Sequence, residues 1–298
     1  MIRKYFTWES ETDRLKDKSF NFMNGNKPIV QGEDAVELLD SSRILAALSP
    51  VNRQRLSRLD ILETIDSTNC YAWAQQGLAG SFACLAEYQW AGRGRQGRQW
   101  LSPYGSGLCL SIKHPYVDEP LFPLDGLSIA LAVSIVQVLQ RLGINELGLK
   151  WPNDILWRKR KLAGLLLESS YKKNLCEVVV GVGINVKVPF TQLINQPWVD
   201  LQTIQGRVAI SRNLLAAKLI EGCLDTLTTF PYKGLTTFMP AWQRLDLLSG
   251  QQVTLLNTTQ DLMSGIVQGI DEQGALWLKT SRGTQRFVCG EVKVQWSS

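Results

Sequence analysis

Ala86-Glu87-Tyr88-Gln89-Trp90, then Gly92-Arg93-Gly94-Arg95-Gln96-Gly97-Arg98-Gln99-Trp100, then Leu108-Cys109-Leu110-Ser111-Ile112: how these three runs connect decides the fold. The middle run matches G-x-G-x-x-G at Gly92, Gly94 and Gly97. That pattern marks a dinucleotide-binding turn only where a strand enters it and a helix leaves it. A strand ending near Trp90 enters. What leaves is Leu101-Ser102-Pro103-Tyr104-Gly105-Ser106-Gly107, which cannot carry a helix, followed by a second strand. The doubly wound reading fails, and the run becomes a loop between two strands of an α+β domain.

The loop's chemistry is specific. Glycine lets backbone N–H groups approach a ligand closely. Arg93, Arg95 and Arg98 offer fixed guanidinium forks that match phosphate or carboxylate oxygens. Trp100 adds a flat surface for a base or another ring. The loop reads as a holder for a charged, nucleotide-like ligand; the plainer alternative is a solvated basic loop.

Working outward, 298 residues suffice for one large or two to three smaller domains. A hydrophobic share of 45% and a charged share of 20% are those of an ordinary globular protein. The net charge of +5 is too small to imply nucleic acid by itself. The positive charge is local, at Arg93 to Arg98 and at Arg158-Lys159-Arg160-Lys161, which suits a small polyanion. Six scattered cysteines form no C-x-x-C pair and His114 is the only histidine, so a zinc site is excluded in practice. Met1 to Asp17 lack an apolar core and no run of 18 apolar residues exists, so the expected location is the cytoplasm, with no membrane segment.

Three regions are expected: a polar tail at 1–34, a central α+β domain at 35–248 and an all-β domain at 249–298. A helix is expected from Asp34 to Leu48, a strand at Asp60–Ile65 and a helix beginning at Tyr71. Asp125–Leu142 is the clearest amphipathic helix, and Asn213–Thr228 is a second one capped by Ser211. A third over Leu235–Arg244 would be broken or kinked at Pro240. The basic turn at 158–161 joins two strands as a hairpin, and Glu177–Val186 is a further strand. After Leu248 the pattern changes to short strands, with Asp271-Glu272-Gln273-Gly274 as a hairpin turn.

Ile65-Asp66-Ser67-Thr68-Asn69, the arginine–glycine loop, Lys150-Trp151-Pro152-Asn153-Asp154, Lys161-Leu162-Ala163-Gly164 and Gly181-Val182-Gly183-Ile184-Asn185 occur in a fixed order. Together they resemble the biotin–protein ligases over about residues 36 to 298. The resemblance implies a central mixed-sheet catalytic domain with a C-terminal SH3-like β-barrel. It implies ATP-dependent formation of biotinyl-5′-AMP, then transfer of biotin to one lysine of the biotin carboxyl carrier protein of acetyl-CoA carboxylase. Biotin and ATP are the implied substrates and Mg²⁺ the implied metal, with ligands that the sequence does not fix.

The resemblance also assigns residues. Lys161, Arg95 and Asp154 are the expected catalytic groups. Ser67, Thr68, Asn69, Gln89, Gly92, Arg93, Gly94, Arg95, Lys161, Gly164 and Gly183 are expected around biotin. Arg95, Arg98, Trp100, Lys150, Asn153, Asn185 and Trp198 are expected around ATP or the adenylate. Gln96 stands where some relatives carry another arginine. Plain helix capping is the alternative for Ser67 and Thr68, and a solvated turn is the alternative for Arg158, Lys159 and Arg160.

Two rivals have a different chemistry or partner. A bifunctional ligase and repressor needs a helix-turn-helix, and the first thirty-odd residues lack a helical pair and a basic stripe; Ser19 to Val30 are at most a wing remnant. DNA binding is therefore not expected. A lipoate or octanoate transferase shares the central fold, and the loop together with the C-terminal barrel favours biotin. An exposed strand edge at 177–186 would allow a homodimer, which the sequence does not decide.

Overall fold

A computed structural model describes residues 37–117, 123–172, 175–188, 196–206, 210–256 and 262–294; the expected tail at 1–34 lies outside the described residues. The first described helices are α1 (Ser41–Ala46) and α2 (Pro50–Arg55), where one helix to Leu48 was expected. Pro50 starts the second helix, because its fixed φ and missing N–H suit a first turn, and the Ser49 side chain accepts the Asn52 N–H as a cap.

β1 (Leu56–Ile65) leads into α3 (Thr68–Ala74). This helix starts ahead of the expected Tyr71, because Gln89 Oε1 accepts the Thr68 N–H at 2.7 Å across the chain. β2 (Ser81–Gln89) and β3 (Gly107–Val117) flank the arginine–glycine loop. Then follow α4 (Leu127–Arg141), β4 (Leu147–Lys150), β5 (Asp154–Trp157), β6 (Arg160–Lys172) and β7 (Leu175–Asn185). α5 (Leu201–Gln205) and α6 (Arg212–Lys233) come next; α6 outruns the expected Thr228 and carries Pro231 in its last turn. In α7 (Met239–Leu245), Pro240 lies in the first turn and starts the helix instead of breaking it.

Strands β1 to β7 form one sheet in the order β1-β2-β3-β7-β6-β5-β4, parallel only between β1 and β2. α3 packs on one face over β2, β3 and β7, with Ala72, Phe82, Cys84 and Val179 buried between. α4 and α6 pack on the other face and on each other; Leu131, Ile135, Leu219 and Cys223 are fully buried there. The two helices come close at Gly222, whose carbonyl accepts the Ser134 hydroxyl at 3.0 Å; an added methyl would meet Val138 at 2.8 Å.

The expected free edge at 177–186 is not an edge. β7 pairs with β3 on one side and β6 on the other over its length. Val178, Val179, Val180, Val182 and Ile184 are all buried, the pattern of a strand covered on both faces. Among the described residues the outer strand is β1 at one end, and at the other β4 is bridged by Asp246 at Leu149.

β8 (Gln252–Leu256), β9 (Leu262–Ile270), β10 (Leu276–Thr280), β11 (Gly283–Phe287) and β12 (Glu291–Val294) form a second, antiparallel sheet in the order β11-β10-β9-β8-β12, which fits an SH3-like domain. Its hairpin turn is built as expected: Asp271 Oδ1 accepts the backbone N–H of Gln273 and Ala275, and Gly274 has φ 79°. The buried Trp151 indole donates to the Gly274 carbonyl at 2.9 Å, joining this sheet to the first.

Candidate active site

A cavity of about 170 Å³ opens on the α3 face of the larger sheet. Its floor is made by absent side chains. Asp154, Gly164, Gly183 and Cys109 lie opposite one another across β5, β6, β7 and β3, and Gly181 lies opposite Ser111 two pairs further along, on the same face. A methyl on Gly183 would come within 2.7 Å of Trp100 Cζ2, and one on Gly181 would collide with the Asn69 side chain. These glycines therefore let an indole and an amide lie flat against the strands.

One end of the cavity is cationic. Lys161 Nζ pairs with Asp154 Oδ1 at 2.7 Å, and Lys150 lies nearby, its pKa pulled down by burial and partly restored by Asp154. A β-bulge delivers Lys161. Leu156 pairs with Lys161 and Ile155 with Ala163, so Leu162 has no partner in β5. The extra residue puts Leu162 and Ala163 both into the apolar core and leaves Lys161 and Gly164, three apart, on the cavity side.

The arginine–glycine loop folds back over this end as a hairpin. Arg93 bridges Gln99, the Gly94 N–H donates to the Arg98 carbonyl at 2.7 Å, and the Trp100 N–H donates to the Gly92 carbonyl at 2.8 Å. Gln96 turns it with φ 56°, in the left-handed region. Arg95 reaches inward to Asn153 Oδ1 at 3.4 Å; burial pulls its pKa down while Cys289 and Asp154 push it up. Arg98 forms an ion pair with Glu291 of β12, so the second sheet supplies a wall of the cavity, with Gly290 and Val292 beside it.

The other end is polar and nearly neutral. Ser67, Thr68, Asn69 and Gln89 are each less than a tenth exposed. Ser67 precedes α3, yet its side chain makes no capping bond, so the capping alternative fails for it. Thr68 Oγ1 lies 3.1 Å from Gln89 Oε1 and 2.7 Å from Ser111 Oγ, and Ser111 Oγ lies 2.6 Å from Asn69 Oδ1. Asn69 Nδ2 donates to Glu168 Oε2 at 2.9 Å, and Arg93 pairs with Glu168 Oε1 at 2.9 Å.

The structure thus gathers Ser67, Thr68, Asn69, Gln89, Arg93, Gly94, Arg95, Arg98, Trp100, Lys150, Asn153, Asp154, Lys161, Gly164 and Gly183 around one cavity. Trp100, expected on the nucleotide side, lies against Gly183 and Gly164, which were expected on the biotin side. Gly92 lies just behind the lining, where an added methyl would hit the Trp100 carbonyl. Asn185 is also behind it, its Nδ2 donating to the Val199 carbonyl at 3.0 Å. Trp198 is bridged to Lys161 through the backbone, and residues 189–195 before it lie outside the described residues. Ser111, Gly181, Glu168 and Glu291 were not anticipated. Ser111 had a signal, a lone hydroxyl in an apolar strand; Glu291 had none.

Arg158 pairs with Glu146 and stacks on Trp157, and Arg160 lies over the same ring, so the basic turn is exposed scaffolding up to Lys161. No group of three or more His, Cys, Asp or Glu side chains able to hold a metal occurs among the described residues.

Known proteins are similar to this chain. The model of the biotin/lipoate A/B protein ligase family matches residues 61–185, and that of the biotin protein ligase C-terminal domain matches residues 248–294. The bifunctional ligase/repressor BirA of Salmonella typhimurium is 36% identical over 266 residues, covering 88% of this chain and 80% of its own. The biotin–[acetyl-CoA-carboxylase] ligase of Paracoccus denitrificans is 32% identical over 78% of this chain and 98% of its own. The biotin protein ligase of Aquifex aeolicus, solved with biotin and ATP, superposes with a TM-score of 0.69 at 28% identity, covering 80% of this chain and 99% of that one.

Proposed function

The chain belongs to the biotin protein ligases, and from that premise we propose how its own cavity divides the work of joining biotin to a carrier lysine. It is an ATP-dependent ligase. In the first step a biotin carboxylate oxygen attacks the α-phosphorus of ATP and pyrophosphate leaves. In the second, a lysine amine on the biotin carboxyl carrier protein attacks the carbonyl of the mixed anhydride. AMP leaves, and the amine gives up a proton as the amide forms.

The observation that carries this assignment is the division of the cavity into a polar end and a cationic end. A cyclic urea needs donors and acceptors in a dry pocket, which Ser67, Thr68, Asn69 and Gln89 offer. A carboxylate approaching a phosphate needs both anions neutralised and held in line, which Lys161, Arg95, Lys150 and Arg98 offer. Lys161 is assigned the carboxylate and α-phosphate, with Asp154 fixing its ammonium. Arg93, Gly94 and Arg95 are assigned to the covering loop that keeps water from the anhydride. Trp100 is assigned to packing along biotin or adenine, and Asn153, Asn185 and Trp198 to the nucleotide side.

Asp154 and Glu291 are the carboxylates that line the cavity, each already facing a cation. Mg²⁺ takes few protein ligands and prefers phosphate and water, so it fits here as a companion of ATP, held by one of these two. It supplies charge neutralisation on the phosphates. The carrier is assigned to the loop side of the cavity. The reading assigns no role to DNA; among the described residues β1, and not β7, is the outer strand that a second copy would meet.

Labelled biotin incorporated into purified carrier domain tests the reading, with ATP, Mg²⁺ and a parallel lipoate arm. Wild type is expected to transfer biotin and to ignore lipoate. Lys161→Ala is expected to lose at least about a hundredfold, the scale for removing one group that stabilises developing charge. Arg95→Ala is expected to release biotinyl-AMP into solution. A preference for lipoate, or full activity in Lys161→Ala, would overturn the assignment.

A further inference from the structure

We propose that Glu168 is a positioning residue that sets the direction of hydrogen bonding across the polar end of the cavity. The proposal rests on the reading of that end as the biotin pocket. Glu168 sits on β6 outside the cavity lining, and three donors converge on it. Arg93 Nη2 and Asn69 Nδ2 lie at 2.9 Å and Trp73 Nε1 at 3.3 Å. The side chain is about a quarter exposed.

An ionised carboxylate only accepts. Asn69 must therefore show its NH₂ to Glu168, which turns Oδ1 toward Ser111 Oγ at 2.6 Å. Ser111 is fully buried and has one hydroxyl proton, which Asn69 Oδ1 claims. The 2.7 Å contact between Ser111 Oγ and Thr68 Oγ1 then draws its proton from Thr68, in preference to the longer 3.1 Å approach of Thr68 Oγ1 to Gln89 Oε1. Thr68 Oγ1 is left with lone pairs for the cavity. Gln89 Oε1 accepts the Thr68 N–H at 2.7 Å, which leaves Nε2 as the donor of that amide, beside Gly92 and Cys109. The polar end thus carries one acceptor and one donor of fixed sense, the complement of a cyclic urea with its N–H groups and carbonyl. Without the carboxylate the Asn69 amide can reverse, and every proton behind it with it. The same carboxylate anchors Arg93, so the loop is tied to the group that orients the pocket.

Biotin-dependent exchange of pyrophosphate with ATP tests this in wild type, Glu168→Gln, Ser111→Ala and the double variant. Glutamine keeps the shape and removes the acceptor-only character. Each single variant is expected to raise KM for biotin about tenfold, the effect of one misdirected buried hydrogen bond, with kcat and KM for ATP within about twofold. The double variant is expected to fall short of the product of the two, since both act on one chain. A merely structural role would lower kcat and raise both KM values together. An unchanged biotin KM in Glu168→Gln, or in Ser111→Ala should the first not fold, overturns the proposal while leaving the ligase reading intact. No biotin-dependent exchange in wild type overturns both.

Discussion

At the scale of single residues, this site is defined as much by what is missing as by what is present. Gly164, Gly181 and Gly183 clear the strands, and Trp100 and Asn69 settle into the space. None of the three has a left-handed φ, so alanine is tolerated by the backbone and its cost falls on the cavity. Gly183→Ala is expected to raise KM for biotin about tenfold or more, the usual effect of one methyl in a fitted pocket, while the thermal midpoint stays nearly constant. Kinetics beside calorimetry check this, and an unchanged KM would mean that the indole, not the ligand, owns that space. Lys161 shows the opposite dependence. Its identity was readable from the motif, but its direction depends on an unpaired Leu162 that no periodicity announces.

At the scale of elements, the strands carry the chemistry and the helices bury them. His114 on β3 illustrates a group with a structural role only. Its Nδ1 lies 2.7 Å from Ser81 Oγ, its ring meets Tyr116 edge-on, and burial lowers its pKa from 6.5 to about 4. The unfolded chain takes up this proton as pH falls through 6.5, whereas the folded chain waits until about 4. The stability present above 6.5 is therefore lost on the way down to 4. Between pH 7 and 5 the loss is about 2 kcal/mol at most. Thermal melts of wild type and His114→Gln should converge as pH falls through this window; parallel curves would exclude the histidine as the cause.

Much of this level was legible. The Asp125–Leu142 pattern, the Asp271–Gly274 turn and the strand–loop–strand passage through Arg93 to Arg98 all correspond to what formed. Helix ends were less legible, because α3 is capped from a distance by Gln89 and Pro50 and Pro240 open helices instead of closing them. The place of the strand at 177–186 in the middle of the sheet was not legible, because its neighbours, β3 and β6, come from parts of the chain that no local pattern links to it. The candidate site was legible where motifs named side chains. It was hidden where a partner stands far off in sequence, as Glu168 does for Asn69 and Glu291 for Arg98.

At the scale of the whole molecule, the two sheets are joined by a buried hydrogen bond from Trp151 to Gly274 and share the cavity through Arg98 and Glu291. Trp151→Phe keeps an aromatic ring but removes the indole N–H and its five-membered ring, so it orphans the Gly274 carbonyl and leaves a gap in the core. It is expected to cost about 2–3 kcal/mol and to lower the midpoint by roughly 4–9 °C. Calorimetry should still show one transition; a split into two would mean that this contact alone couples the sheets. The wall that β12 contributes has a consequence for shuffling between relatives. A chimera that takes its last strand from another ligase exchanges the counter-ion of Arg98 in the same stroke. The joint between the sheets is therefore not a neutral place to cut, because the charge that faces Arg98 in the cavity would travel with the tail.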